Sequence, residues 1–135
     1  MTVYALRIVK PEWVDNVYRE GVYYGSVRRC FKPGDTVLFF SKVEDLGDAL
    51  IGYGVVESFH RREDLPEDIA SRFQDHPWIW LIKLDSSRLV KLGDPIPWTR
   101  LVEQGVIPEN AKGRYLHGRR LKDREVDALD LICRI

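Results

Sequence analysis

Cysteine is scarce in this sequence, and the two present, Cys30 and Cys133, lie far apart with no Cys-x-x-Cys pair. That excludes a disulfide framework and a cysteine-based zinc site. Both read as small buried hydrophobes, a common fate of a free thiol. Asparagine, glutamine and methionine are also few, at two, two and one residues. So few heat-labile side chains beside many charged ones lean toward a thermophilic source. Neither sign of charge dominates: 21 Lys and Arg stand against 21 Asp and Glu. Nothing therefore pulls the whole chain toward nucleic acid or anionic lipid, and any electrostatic function is local.

No apolar run approaches the roughly 20 residues of a membrane helix, so no membrane partner is expected. The opening MTVYALRIVK is too short and too polar-flanked for a signal peptide, which makes the cytoplasm the expected location. Nucleotide-binding and hydrolase signatures are missing too: no GxGxxG, no GxxxxGKS/T, no HExxH and no GxSxG occurs. His60, His76 and His117 are scattered without ligand spacing, so neither a metal nor a cofactor is expected. His60 beside Arg61-Arg62 reads as a solvated loop and His76-Pro77 as a turn.

What is present is the material of one compact unit. The 135 residues suit a single domain, 1–135, large enough to bury a core unaided. Residues 2–9 alternate as a strand with Tyr4, Leu6 and Ile8 on one face. Pro11 opens a helix that Gly21 ends, its stripe formed by Trp13, Val14, Val17 and Tyr18. A second strand follows over Val22 to Cys30, then a Lys32-Pro33-Gly34-Asp35 turn of type II. In Thr36 to Val43 the run Val37-Leu38-Phe39-Phe40 leaves no polar face, so both sides of that strand need cover. Gly52 and Gly54 lie on one face of the next strand, 49–59, and mark coiling, a bulge or a close approach.

Residues 64–73 read as a helix with capping-box spacing between Asp64 and Glu67. Strands at 78–84 and 87–92 are joined by a short Asp-Ser-Ser turn, and a short helix runs from Trp98 to Gln104. Asp123 caps a last helix reaching Ile135, with Val126, Leu129 and Ile132 inward. Short strands with small helices between them predict an α+β, mainly β, barrel-like fold.

Three runs in order, LRIVKPEWVDNVYREG, RRCFKPGDTVLFFSK and IGYGVV, resemble the PUA-like superfamily, especially its ASCH and EVE branches. The resemblance implies a pseudo-barrel of about five to six strands with short helices packed around them. ASCH domains tend to carry Gly-x-Lys-x-x-Glu-x-Arg after the first helix. Here Gly21 and Arg28 fit that register, while Tyr23 replaces the lysine and Ser26 the acid. On the ASCH side the implied activity is hydrolysis of a small modified nucleoside, using Ser26 with Arg28 and Glu57. A hydroxyl needs an adjacent base to become nucleophilic, and the missing lysine argues against it.

On the EVE side, Phe40-Ser41 keeps part of a Tyr-x-Ser pocket strand, and EVE domains resemble YTH readers that hold a modified base among aromatic rings. That resemblance implies a base pocket of Trp13, Phe40, Ser41 and Trp78, with Lys42 at its mouth. The other tryptophans, Trp80 and Trp98, are as well read as core.

The strongest polar feature is residues 111–124, AKGRYLHGRRLKDR, six basic residues against Asp123, a net of +5 in a neutral chain. Interleaved Tyr115 and His117 give the composition of a nucleic-acid contact. Arg114, Arg119, Arg120 and Lys122 are the candidate phosphate ligands, with Arg28 alongside. The same segment also reads as a loop paired with Glu63, Asp64, Glu67 and Asp68. The expectation is a non-enzymatic RNA-binding module whose partner is RNA or a modified nucleotide. The hydrolase is the alternative, and a protein-interaction face around Trp98 and Ile107 a third reading.

Overall fold

The computed structural model describes residues 2–133, so the end of the last helix expected through Ile135 lies outside the described residues. Six strands and four short helices run β1 (Val3–Ile8), α1 (Pro11–Glu20), β2 (Val22–Gly25), β3 (Thr36–Val43), β4 (Gly47–Arg61), α2 (Glu67–Ala70), β5 (Trp80–Leu84), β6 (Val90–Pro97), α3 (Trp98–Glu103) and α4 (Asp123–Asp130). The fold is α+β and mainly β. Strand order is β1-β3-β4-β5-β2, with β6 also on β4. All pairs are antiparallel except β1 with β3, which run parallel from Val3↔Thr36 to Ile8↔Ser41.

Local chemistry explains most boundaries. Pro11 sits in the first turn of α1, and Gly21 takes the left-handed conformation (φ 67°) and donates its N–H to the Val17 carbonyl. In the turn before β3, Gly34 has φ 93° and the Asp35 N–H reaches the Lys32 carbonyl at 3.0 Å, as a type II turn requires. Helix α4 begins at Asp123, not after it. Its cap is made by the Glu125 carboxylate, which accepts from the Lys122 N–H at 2.8 Å.

The second strand, expected over Val22 to Cys30, ends at Gly25, and two further expectations are corrected. The helix over 64–73 shrinks to Glu67–Ala70 after a 3-10 turn at Arg62–Asp64. Pro66 is the cause: it has no N–H and drives Leu65 into extended backbone (ψ 153°). Strands β5 and β6 form no hairpin. Asp85 instead ties up the connection by accepting from Ser87 and Arg88, and β6 crosses to pair with β4 at Ala49–Tyr53.

Strand β4 organises the whole. Its first part lies between β3 and β6, and from Val56 on, through a register shift at Val56/Ser58, it pairs with β5. Side-chain alternation on β3 sends Leu38 and Phe40 into one core, with Val3, Ala5, Leu101, Leu116 and Leu129. Val37 and Phe39 enter the other, with Tyr4, Leu6, Ile8, Tyr23, Trp80 and Ile82 under α1. A smaller cluster of Tyr24, Trp78 and Leu81 lies against Trp13, Leu65, Ile69 and Phe73.

Gly52 is explained by close approach. A Cβ there would run into the Tyr18 hydroxyl and the Val90 carbonyl, which are hydrogen-bonded to each other at 2.9 Å. Because one obstacle is backbone, Gly52→Ala is expected to cost about 3 kcal/mol or more in urea unfolding. Gly93→Ala, with nothing within 4 Å of the added atom, should stay within about 0.5 kcal/mol of the parent. Equal midpoints for the two variants would contradict this account.

Candidate functional site

Strands β1 and β2 stand at opposite ends of the strand path. The barrel therefore has a seam between them. Along β1 the odd-numbered residues turn their backbone toward that side, and residues 118–121 satisfy most of it. Leu121 donates to the Val3 carbonyl, Ala5 donates to the Arg119 carbonyl, and Gly118 donates to the Ala5 carbonyl, at 2.7–2.8 Å. At Arg7 the backbone partner runs out and side chains take over. The Arg7 N–H donates to His117 Nδ1 at 2.8 Å, and the Arg7 carbonyl accepts from Tyr23 Oη at 3.2 Å.

Where the ladder ends, a cleft of about 320 Å³ opens, bounded by Arg7–Lys10, Trp13 and Val17 of α1, Tyr23–Ser26, His76-Pro77 and His117. One wall is aromatic. Trp13 lies 4.7 Å from both Phe73 and His76 and 6.1 Å from Tyr24, and Tyr24 lies 5.0 Å from Phe73 and 4.9 Å from Trp78. Polar groups meet the same space. In β2 the bond from the Leu84 N–H to the Gly21 carbonyl and the Tyr23↔Ile82 register set the alternation. Tyr24 therefore turns its backbone away from β5, and its carbonyl lies 3.5 Å from His76 Nε2. Ser26 is exposed at the rim, as is Lys10.

Protonation states follow from these contacts. Burial first, and the Arg7 charge second, lower the His117 pKa below its ordinary 6.5. With Nδ1 accepting from Arg7, the neutral ring carries its proton on Nε2. Burial lifts the Tyr23 phenol well above its ordinary 10.0, so it stays a donor. Among the described residues no group of three or more His, Cys, Asp or Glu is placed to hold a metal ion, and no helix is long and apolar enough to cross a membrane.

The structure brings only part of the expected site together. Trp13 and Ser26 line the cleft. Phe40 does not: it is fully buried in the core under α3 and α4, because alternation on β3 turns it from the seam. Ser41 is buried with its Oγ donating to the Ile8 carbonyl at 3.0 Å, and Lys42 is exposed outside the cleft. Trp78 is 1% exposed; its indole donates to the Arg72 carbonyl at 2.8 Å, and it backs the aromatic wall through Tyr24 rather than lining the cleft. Trp98 likewise donates to the Ala111 carbonyl.

The alternative trio is dispersed. Ser26 lines the cleft, Arg28 a neighbouring groove, and Glu57 a third cavity beside Tyr18 and Lys83. Cys30, expected buried, is exposed at the groove, and Cys133 is half-buried.

The basic segment reaches the cleft through His117, but its cations differ. Arg119 is held by Glu125 through two hydrogen bonds, 2.8 and 3.1 Å, with both side chains largely buried. Burial would raise the Glu125 pKa, and the bonds from Arg119 and the Lys122 N–H overcome it and leave the carboxyl below its ordinary range. Arg119 is thus an internal clamp, while Arg114, Arg120 and Lys122 are exposed. The alternative, a loop paired with Glu63, Asp64, Glu67 and Asp68, is not seen among the described residues.

Tyr24, Arg7 and Lys10 escaped the sequence reading, His76 was read as a turn, and His117 was read into the basic segment but not into a cleft. Only Tyr24 carried a signal, an aromatic just before a glycine at a strand end.

No family model and no curated protein matches the chain. Solved structures do. An ASCH protein from Zymomonas mobilis superposes with a TM-score of 0.61 at 13% identity, over 97% of this chain and 94% of that one. The YTH domain of Mmi1 in complex with RNA gives 0.63 at 10% identity, over 97% and 80%. The YTH domain of Zygosaccharomyces rouxii MRB1, in complex with N6-methyladenosine RNA, gives 0.61 at 13% identity, over 99% and 85%. The chain has the PUA-like fold that ASCH and YTH domains share.

His117 makes the joint pH-sensitive in a defined direction. Its folded pKa is depressed, so as pH falls below about 6.5 the unfolded chain takes up a proton that the native ring refuses, and stability drops. His117→Asn keeps an acceptor for the Arg7 N–H and removes the titration. Urea midpoints at pH 7.5 and 5.5 should therefore fall further for the parent than for H117N. Parallel losses would show that His117 does not contribute.

Proposed function

We propose that this chain is a single PUA-like domain, non-enzymatic, that binds RNA and receives one base, plain or modified, in the cleft between β1 and β2. The observation that carries the reading is the aromatic wall of Trp13, Tyr24 and His76, backed by Phe73 and packed at 4.7–6.1 Å along an open cleft. Aromatic faces suit any base, and stacking contributes about 1–3 kcal/mol per base. A cleft of 320 Å³ is the size of a small-ligand site. The polar rim supplies hydrogen bonds for a base edge: the Ser26 hydroxyl, the Tyr24 backbone and the His117 Nε2–H.

Phosphates meet cations outside the cleft. Arg114, Arg120 and Lys122 are exposed on the segment that His117 anchors, and Arg28 lies in the 26–29 loop, on the side of the neighbouring groove. Arg119 supports that face through Glu125 rather than touching RNA. The fold likeness to a YTH domain solved with N6-methyladenosine RNA supports the modified-base version, as a likeness of fold.

The test is fluorescence anisotropy with a labelled single-stranded RNA and a tRNA at two salt concentrations. Binding in the micromolar range that weakens steeply with salt is expected. Trp13→Ala should weaken it by about tenfold, and Ser26→Ala by less. An RNA carrying the preferred modified base should lose its advantage in W13A. No binding at low salt would sink the reading, and full affinity in W13A would remove the base from the cleft.

A further inference from the structure

Across the 26–29 loop from the cleft lies a larger groove of about 610 Å³ that no motif in the sequence announced. Its walls hold four arginines, Arg28, Arg29, Arg61 and Arg62, against a single acid, Glu63. Among the described residues none of the four is in an ion pair. Four guanidiniums gathered without carboxylates repel one another, and such an arrangement calls for an anion to complete it.

Two of the four are fixed by the protein itself. Arg62 donates to the Ala70 and Trp78 carbonyls at 2.8 and 3.0 Å, and its guanidinium lies 4.3 Å from the Trp78 ring centre. Arg29 donates through Nε to the Gly118 carbonyl at 2.6 Å and lies over Tyr4. Each keeps terminal N–H groups, so a ligand meets donors whose ordering is already done. Arg28 and Arg61 are exposed; the one contact seen for either is Arg61 Nη2 with Cys30 Sγ at 3.9 Å. They are the adaptable pair.

The groove and the cleft share a wall one residue thick in sequence. Ser26 lines the cleft and Val27 lines the groove. That wall is rigid: Trp80 Nε1 donates to the Val27 carbonyl at 2.7 Å, and the Arg29 N–H donates to the same oxygen at 2.9 Å. We infer that the arginine groove takes the phosphodiester backbone of the RNA strand that continues, over the 26–29 loop, from the base held in the cleft. This rests on the RNA reading above. It assigns a second contact surface to Arg29, Arg61 and Arg62, which that reading leaves unused, and gives Arg28 its partners.

The experiment combines two readouts on the intact chain with a fluorescein-labelled nine-nucleotide single-stranded RNA. Arg28→Ala with Arg61→Ala removes the two guanidiniums that no carbonyl holds and leaves the carbonyl-bound pair in place. Lys91→Ala with Arg100→Ala is the charge-matched control on β6 and α3. The groove pair should weaken binding about fivefold and lower the slope of log affinity against log salt by about 1.4, two single-strand phosphate contacts. The control pair should change the slope by less than half of that. In the parent, saturating RNA should slow alkylation of Cys30 by N-ethylmaleimide several-fold and leave Cys133 unchanged, read peptide by peptide by mass spectrometry.

A groove variant that matches the control in slope, or Cys30 that alkylates at its free rate under saturating RNA, overturns the inference. If W13A still loses binding, the base-cleft reading survives that result. A parent that binds no RNA at low salt overturns both.

Discussion

The architecture depends on how β1 satisfies its second backbone edge. A strand in the middle of a sheet needs partners on both sides, and buried peptide groups left unpaired are costly. On one side β1 has β3. On the other it takes residues 118–121, not β2, through three backbone hydrogen bonds that link Val3 and Ala5 to Gly118, Arg119 and Leu121. That choice keeps the barrel open. Had β2 filled this edge, the seam would have closed as a ladder and no cleft would exist. Because 118–121 is short, the ladder stops at Arg7, and the imidazole of His117 and the phenol of Tyr23 complete it. The cleft is the space left where main-chain pairing gives way to side-chain pairing.

The same constraint gives the basic segment two duties. Its backbone is an edge cover for β1, and its side chains are a cationic face. These duties conflict wherever a cation must also hold the segment in place, and Arg119 shows how the conflict is resolved. It turns inward to Glu125, which also accepts from the Lys122 N–H and so joins the segment to the start of α4. Removing one partner of such a largely buried pair costs far more than the pair contributes over an apolar substitute. Of the six cations read as one patch, one is therefore structural.

Local chemistry was legible in the sequence where a single residue decides the backbone. Pro11, Gly21 and the Pro33-Gly34 turn bound α1 and precede β3 as their chemistry requires, and the unbroken apolar run of β3 is covered on both faces. The same run tells against a pocket at Phe40: a strand with both faces in cores has no face left for a ligand. The 15-residue reach of β4 and the pairing of β6 with it were not legible, since they depend on which distant strand competes for the same edge. Nor was the site, beyond Trp13 and Ser26. His76, His117 and the 61–62 arginines come from segments that only the tertiary fold brings near residues 24–29, and a histidine before a proline looks like a turn in any sequence.

The wall between cleft and groove is irregular backbone made rigid by its neighbours. Gly25 is essential there because the Trp80 ring occupies the space a Cβ would need. With the ring so placed, its indole N–H reaches the Val27 carbonyl, and Arg29 reaches the Gly118 carbonyl beyond it. Gly118, in turn, has a left-handed backbone (φ 80°) and lies against Val27. Two glycines and two long side chains thus lock the 26–29 loop to both β5 and the cover segment. Loops usually lose entropy when they bind; one already fixed loses little. This is how a chain of zero net charge can present a local positive field: Arg29 and Arg62 are held by carbonyls and rings rather than by carboxylates, which leaves their charge uncancelled.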